Sequence, residues 1–285
     1  VASSFETLAA QAPQDEGKQR LAGHPWPGHC MGGPGVSRNG GALNYHWNWQ
    51  IFFEPNPTGS GTYLDMLLSG LALTIKTALT AWIIALVFGS VVGVLRTLPS
   101  KVAGWIGFCY VEFFRNMPLL VQLFLWFFVL PELLPRAAGL WLKQMPNAPF
   151  WTASIGVGLF MSARVAVQLA AGIASLPRGQ KQAATALGLT TAQTYRYVLL
   201  PMAYRIILPP LTSEFLNTVK NTAVAITIGL IELTGQARAM QEFSFQVFEA
   251  FTAATIMYLL VNIVVVTGMR FLERKVAIPG YIAGK

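Results

Sequence analysis

The sequence predicts an all-α, multi-pass integral membrane protein with five transmembrane helices. Three observations carry that reading. The first is composition: of 285 residues, 54% are hydrophobic and only 11% are charged, with a mean hydropathy of +0.50. Soluble domains carry about a quarter charged residues, so a chain this poor in charge cannot coat a water-facing surface. The second is a series of uncharged runs long enough to cross hydrocarbon, such as the nineteen residues 77–95 and the twenty residues 250–269. Each exceeds or approaches the roughly 20 residues that a helical span needs. The third is that Lys and Arg gather beside these runs on alternate sides. The net charge of +8 therefore reads as cytoplasmic loops, and no nucleic-acid partner is expected.

Residues 1–43 come first and stand apart. They are rich in Gly, Pro, Ala and Ser and contain no apolar run fit for a signal-peptide core. Low hydrophobic density predicts a disordered extension, native or translated from upstream sequence. His24, His29 and Cys30 show no paired ligand spacing, so no metal site is expected. The segment GGPGVSRNGG lacks a following Lys-Ser/Thr and is not a nucleotide-cradling loop. Cys30 and Cys109 are expected on opposite sides of the membrane. From residue 44 onward the chain turns aromatic, and Trp47, Trp49, Phe52 and Phe53 read as an interfacial belt.

The spans follow in order. Residues 77–95 form the first, with Lys76 before it, Arg96 and Lys101 after it, and a Gly89/Gly93 pair that lets a second helix approach closely. The second covers residues 117–131 and is expected to begin near Trp105, running along the interface first. Glu112 and Arg115, three apart, suit a local ion pair. Residues 136–149, with Pro135 before them and Pro146 and Pro149 among them, read as a short outer loop. Residues 150–173 make the third span, interrupted by Arg164. Residues 206–231 make the fourth, where Pro209 and Pro210 fit only a first turn or a kink. A half-helix is expected near 228–239, and residues 250–269 make the last span.

Eleven Lys and Arg fall on one side: Arg96, Lys101, Arg115, Arg178, Lys181, Arg196, Arg205, Arg270, Arg274, Lys275 and Lys285. Arg136, Lys143 and Arg238 fall on the other. Positive-inside logic makes the first side cytoplasmic, with the N-terminus outside and the C-terminus inside.

Residues 175–221 break the apolar pattern. They carry Arg178, Lys181, Arg196 and Arg205, while no Asp or Glu occurs between Glu132 and Glu214. Residues 182–187 are good helix formers, Gly188 can end a helix, and Thr190 or Thr191 can cap the next. Two short helices joined at Gly188 result, lying at about 178–200 on the cytoplasmic side. Gln182-Ala183-Ala184, then Gly188, Val198 and Leu200-Pro201, fall at the spacing of the motif E-A-A-x3-G-x9-I-x-L-P. With the flanks SLPRGQ, YRYVLLP and ILPPLTSEFLNTVKN, residues 45–285 resemble permease subunits of ATP-binding-cassette (ABC) importers. The likeness is to the polar amino acid branch, glutamate/aspartate type. Gln182 and Val198 depart from the motif's Glu and Ile, and Gln182 removes a charge from any docking contact.

The resemblance implies a type I ABC importer permease domain over residues 44–285, in a bacterial inner membrane and bathed in lipid. It implies a separate ABC ATPase dimer holding ATP–Mg, a periplasmic substrate-binding protein, and a second permease, homologous or identical. This chain itself needs no cofactor and is not an enzyme. The residues for coupling to the ATPase are Gln182, Ala183, Ala184, Leu187, Gly188, Leu200 and Pro201. Ala183, Ala184 and Leu187 are expected to fill a groove on the ATPase. Gly188 is expected where a close turn leaves no room for a side chain, or as an ordinary helix cap.

Ionisable groups inside spans are costly and mark functional candidates. Arg164, Gln168, Glu214, Lys220 and Asn221 form the expected substrate path. Relatives carry Glu and Arg near Val167 and Ala170, and both are apolar here; Arg164 and Lys220 remain against Glu214 alone, an excess of fixed positive charge that suits an acidic amino acid. Arg164 either contacts substrate or pairs with Glu214 or with freed backbone carbonyls. The alternatives are a permease for another polar amino acid and an ion-coupled secondary transporter. The latter needs no docking helices and usually shows an internal repeat, which is not found. No Walker sequence, Ser/His/Asp, Cys/His or His-Glu-x-x-His arrangement supports a membrane enzyme.

Overall fold

A computed structural model describes residues 45–57, 59 and 61–276. The extension 1–43 with Cys30, and Lys285, lie outside the described residues. The chain divides into two units, Val1–His46 and Trp47–Lys285, and every element below belongs to the second. Helices dominate, and among the described residues the β-structure is a single bridge between Pro55 and Thr62. Hydrocarbon offers the backbone no hydrogen bonds, so each segment must close its own.

A 3-10 turn, Trp49–Phe53, leads into α1, Tyr63–Thr97. Thr62 and Asp65 form a reciprocal capping box at its start. Next come α2 (Lys101–Asn116) and α3 (Leu119–Phe124). A π turn, Leu125–Val129, joins α3 to α4 (Leu130–Leu133). They are followed by α5 (Arg136–Gln144), α6 (Ala148–Ala174) and α7 (Arg178–Ala186). The short α8 (Thr191–Gln193) runs through a π turn, Thr194–Leu199, into α9 (Leu200–Asn221). A 3-10 stretch, Thr222–Ile228, precedes α10 (Leu233–Ser244) and α11 (Val247–Val276).

Among the described residues, three helices are long and apolar enough to cross a membrane: α1, α6 and α11. The stretches Lys101–Asn116 and Leu119–Leu133 pass only as a pair and are bent by 102°. The expected second span is thus two helices. Pro118 stands at the break, and the residue before a proline is driven out of helical geometry; Met117 is extended, with ψ 132°. The remaining expected span corresponds to α9, which carries Arg205, Glu214 and Lys220 and is not among the apolar helices. It begins at Leu200, six residues earlier than expected, so Pro209 and Pro210 fall inside it. There they leave the carbonyls of Arg205 and Ile206 without helical partners. The expected outer loop 136–149 instead holds α5, and the expected half-helix lies later, as α10.

Close packing rests on small residues. A Cβ placed on Gly89 would stand 2.6 Å from Val165 Cβ, one on Gly93 3.0 Å from Leu169 Cβ, and one on Gly158 2.8 Å from Ile84. These pairs rise together in number, so α1 and α6 run parallel. Gly172 meets Ile207 and Ala203, while Arg164 meets Glu214, so α9 runs antiparallel to α6. Thr212 on α9 donates to Glu273 on α11 at 2.8 Å. Apolar side chains Leu79, Ile83, Val87 and Val91 of α1, and Ile256, Leu260 and Val264 of α11, are exposed. Such stripes are at home only in lipid or against another chain.

Candidate functional site

The packing of α2, α6 and α9 opens a cleft of about 330 Å³ lined by Arg115, Phe160, Arg164, Val167, Gln168 and Glu214. Arg164 and Gln168 are four apart on α6 and share a face. Tyr110 and Ser162 hydrogen-bond at 2.7 Å, and Val111 and Phe114 pack with Ala163 and Ala166. That crossing delivers Arg115 to the same opening.

Arg164 Nη1 lies 3.8 Å from Glu214 Oε2, and the arginine is the more exposed partner. The separation exceeds hydrogen-bond range, and Glu214 Oε2 is buried with no hydrogen-bond partner. Arg164 also lies over the Phe160 ring at 5.6 Å, a cation–π contact. Of the expected path residues, Arg164, Gln168 and Glu214 meet here. Lys220 and Asn221 do not line this cleft; Asn221 donates its side-chain amide to Met161 Sδ at 3.4 Å, and Lys220 is exposed elsewhere on α9.

Arg115 is the residue that sequence reasoning missed here. It was read as a cytoplasmic marker paired with Glu112, but Glu112 instead accepts from Asn116 Nδ2 at 2.8 Å. Two buried acids were missed as well. Glu232 and Glu249 are fully buried; Glu249 accepts from the Asn48 backbone N–H at 2.7 Å.

At the other end of α6, α7 ends as expected at Gly188. Leu189 N–H donates to Ala184 O at 3.1 Å and Gly188 N–H to Thr185 O at 3.0 Å. These two bonds, with φ +75° at Gly188, make a Schellman cap. The space at Gly188 is open, with no atom near a built Cβ. Crowding is therefore not the reason for glycine; the left-handed backbone is. Thr190 and Gln193 then form a capping box that starts α8.

The expected docking face is only partly outward. Leu187 is 80% exposed, whereas Ala184 is 3% exposed and cannot fill a partner's groove. Ala184 points into a groove within the chain, shared with Ala183, Leu187, Leu189 and Pro201. Gln182 is exposed, Pro201 is exposed and Leu200 is half-buried.

Three comparisons bear on this geometry. Residues 64–278 match the family described as the binding-protein-dependent transport system inner membrane component. The glutamate/aspartate import permease protein GltJ of Escherichia coli K12 is 49% identical over 246 residues, covering 85% of this chain and all of GltJ. The probable glutamine ABC transporter permease protein GlnM of Bacillus subtilis is 32% identical over 211 residues, covering 74% of this chain and 93% of GlnM. Among solved structures, an amino acid ABC transporter crystallised with histidines superposes with a TM-score of 0.64 at 30% identity, over 75% of this chain and 95% of that one.

Proposed function

The chain belongs to the family of binding-protein-dependent transport system inner membrane components, and on that premise we propose that it is the permease subunit of an ATP-driven importer of acidic amino acids. Glutamate and aspartate are the substrates. The reading draws on the likeness to GltJ over that protein's full length. The observation on this chain that carries the substrate class is the charge of the cleft, where Arg115 and Arg164 face Glu214 alone. A guanidinium keeps its charge at any physiological pH, and its fork matches a carboxylate in two places.

The surrounding parts take their roles from the same reading. An ABC ATPase dimer hydrolyses ATP–Mg, a periplasmic binding protein delivers substrate, and a second permease subunit completes the path. The segment 178–200 faces the cytoplasm and docks on the ATPase through Gln182, Ala183, Leu187 and Pro201. Gly188 and Leu200 hold its shape, and Ala184 braces it from within. ATP-driven closure of the ATPases moves α7 and α8 as a lever, and the helices alternate between inward-open and outward-open states.

The test is uptake of radiolabelled glutamate and aspartate by the full transporter in vesicles. Wild type takes up both only with ATP, and Arg164→Gln lowers uptake while the subunit stays at its normal level in the membrane. Full uptake by an abundant Arg164→Gln variant removes Arg164 from the substrate path. In a background without native cysteines, a cysteine placed within residues 180–191 reacts with an impermeant thiol reagent in inverted vesicles only. Labelling of intact cells overturns the orientation.

A further inference from the structure

We infer that the cleft between α2, α6 and α9 is a three-charge site, complementary to a solute with two carboxylates and one ammonium. Arg115 and Arg164 each receive one carboxylate, and Glu214 receives the ammonium. The inference rests on the acidic amino acid reading above and deepens it, by assigning one carboxylate to each arginine and the ammonium to Glu214.

The charges on the cleft wall are two cations and one anion. A glutamate or aspartate at neutral pH carries the inverse set, two anions and one cation. The fit is in number as well as in sign, for the cleft's surplus of one positive charge equals the solute's surplus of one negative charge. A neutral amino acid leaves one guanidinium unmatched. A dicarboxylate without an ammonium leaves Glu214 unmatched.

Each of the three groups is open to a ligand. Arg115 makes no ion pair or hydrogen bond among the described residues. Glu214 Oε2 is buried and accepts no hydrogen bond. Its separation from Arg164, 3.8 Å, is Coulombic proximity without a hydrogen bond. Were the pair a finished structural bridge, the guanidinium would close on the carboxylate, as Arg238 does on Glu242 at 3.0 Å. Instead the Phe160 ring holds the Arg164 guanidinium at 5.6 Å, leaving its donors for another acceptor. Gln168 adds a neutral amide, and Val167 and Phe160 wall the remaining sides. A cleft of about 330 Å³ sits at the low end of ligand pockets, about 300–1,000 Å³, which suits a small amino acid.

The experiment deletes one charge on the protein and one on the ligand in turn. The probes are glutamate, glutamine, which lacks one carboxylate charge, and glutarate, which lacks the ammonium. Binding is measured on the purified, fully assembled transporter without its binding protein. In wild type, glutamate binds about tenfold or more tighter than either analogue, the usual worth of a charge-assisted hydrogen bond. In Glu214→Gln, glutamate and glutarate become equal. In one of Arg115→Gln and Arg164→Gln, glutamate and glutamine become equal, and in the other both weaken together.

Each result is a ratio between two ligands on the same protein, so a loss of folded material cancels. Glu214→Asp and Arg115→Lys keep the charge and retain the preferences, and they serve where a neutral variant does not assemble. Persistence of the glutamate-over-glutarate gap in Glu214→Gln overturns the role of Glu214. Persistence of the glutamate-over-glutamine gap in both arginine variants overturns the three-charge site while leaving the importer reading intact. A wild-type transporter that takes up glutamine as readily as glutamate sinks the acidic amino acid reading itself.

Discussion

The Tyr195 hydroxyl donates to the backbone carbonyl of Thr97 at 2.6 Å and contacts the Thr97 hydroxyl at 3.2 Å. The bond ties the segment after the Gly188 turn to the last turn of α1, 98 residues earlier. Thr97 is the C-terminal residue of a helix whose final carbonyls have no helical partner, so the bond fills an acceptor that helix geometry leaves open. Tyr195 is itself buried in the main core cluster with Leu169, Ile173 and Leu199. The segment that follows the Gly188 turn is therefore anchored to α1 and α6 at once.

Tyr195→Phe should keep the packing and lose the bond. The expected cost is about 1 kcal/mol, read as a small fall in the melting temperature of the detergent-solubilised subunit. The larger effect is on transmission, because motion of α7 and α8 then reaches α1 less directly. More ATP should be hydrolysed per substrate transported. An unchanged ratio of ATP hydrolysed to glutamate taken up would show that the tie carries no motion.

Gly188→Leu should uncouple ATP hydrolysis from uptake without preventing insertion. The side chain has open space around it, so no clash is expected. The cost is backbone strain: φ is +75°, and a Cβ in the left-handed region costs about 1–2 kcal/mol. The residue then relaxes out of the Schellman cap and swings α7 relative to α8. Gly188→Asn should be much milder, since Asn tolerates this conformation. Binding-protein-stimulated ATPase activity separates the cases: lost in the leucine variant, mostly kept in the asparagine variant. Equal loss in both variants would point to the side chain's bulk at that surface as the cause.

Much of this was legible in the sequence because the rules are local. Gly188 followed by Thr190 encodes a cap and a restart within three residues, and both are found. Gly89 and Gly93 announce close approach of a helix without naming it, and α6 is that helix. Arg115 was not legible, because its place in the cleft depends on α2 crossing α6, through Tyr110 and Ser162, 52 residues apart in sequence. The break at Pro118 was missed, because the apolar run beyond it was expected to continue a helix begun near Trp105, and the 102° turn was not legible either, since a proline marks where a helix stops and not where the next one points. Helix α5 was hidden by its bracketing prolines. Ala184 was assigned outward from its motif, and only the packing of α7 on the following π turn shows it facing in.

Glu232 is the strongest case of a residue that sequence reading passed over, and it makes the last prediction. Its carboxylate is fully buried and accepts four hydrogen bonds. One oxygen takes the backbone N–H groups of Thr234 at 2.9 Å and Gly235 at 3.2 Å, capping α10. The other takes the hydroxyls of Thr74 on α1 at 3.0 Å and Tyr258 on α11 at 2.5 Å. Three helices thus converge on one side chain. Glu232→Gln should be tolerated, because its oxygen can still cap α10 while its amide donates to the two hydroxyls, which can turn and accept. Glu232→Ala should not be, because it removes the cap, worth about 1 kcal/mol, and leaves buried donors unpaired at about 1–3 kcal/mol each. The alanine variant should melt several degrees lower and fall in membrane abundance. Adding Thr74→Val to Glu232→Ala should then cost less than Thr74→Val in wild type, because the hydroxyl has already lost its main acceptor. Additive losses in that double-mutant cycle would mean that Thr74 holds α10 through the bond its hydroxyl accepts from the Leu233 N–H at 3.1 Å, with the carboxylate acting only as the cap of its own helix.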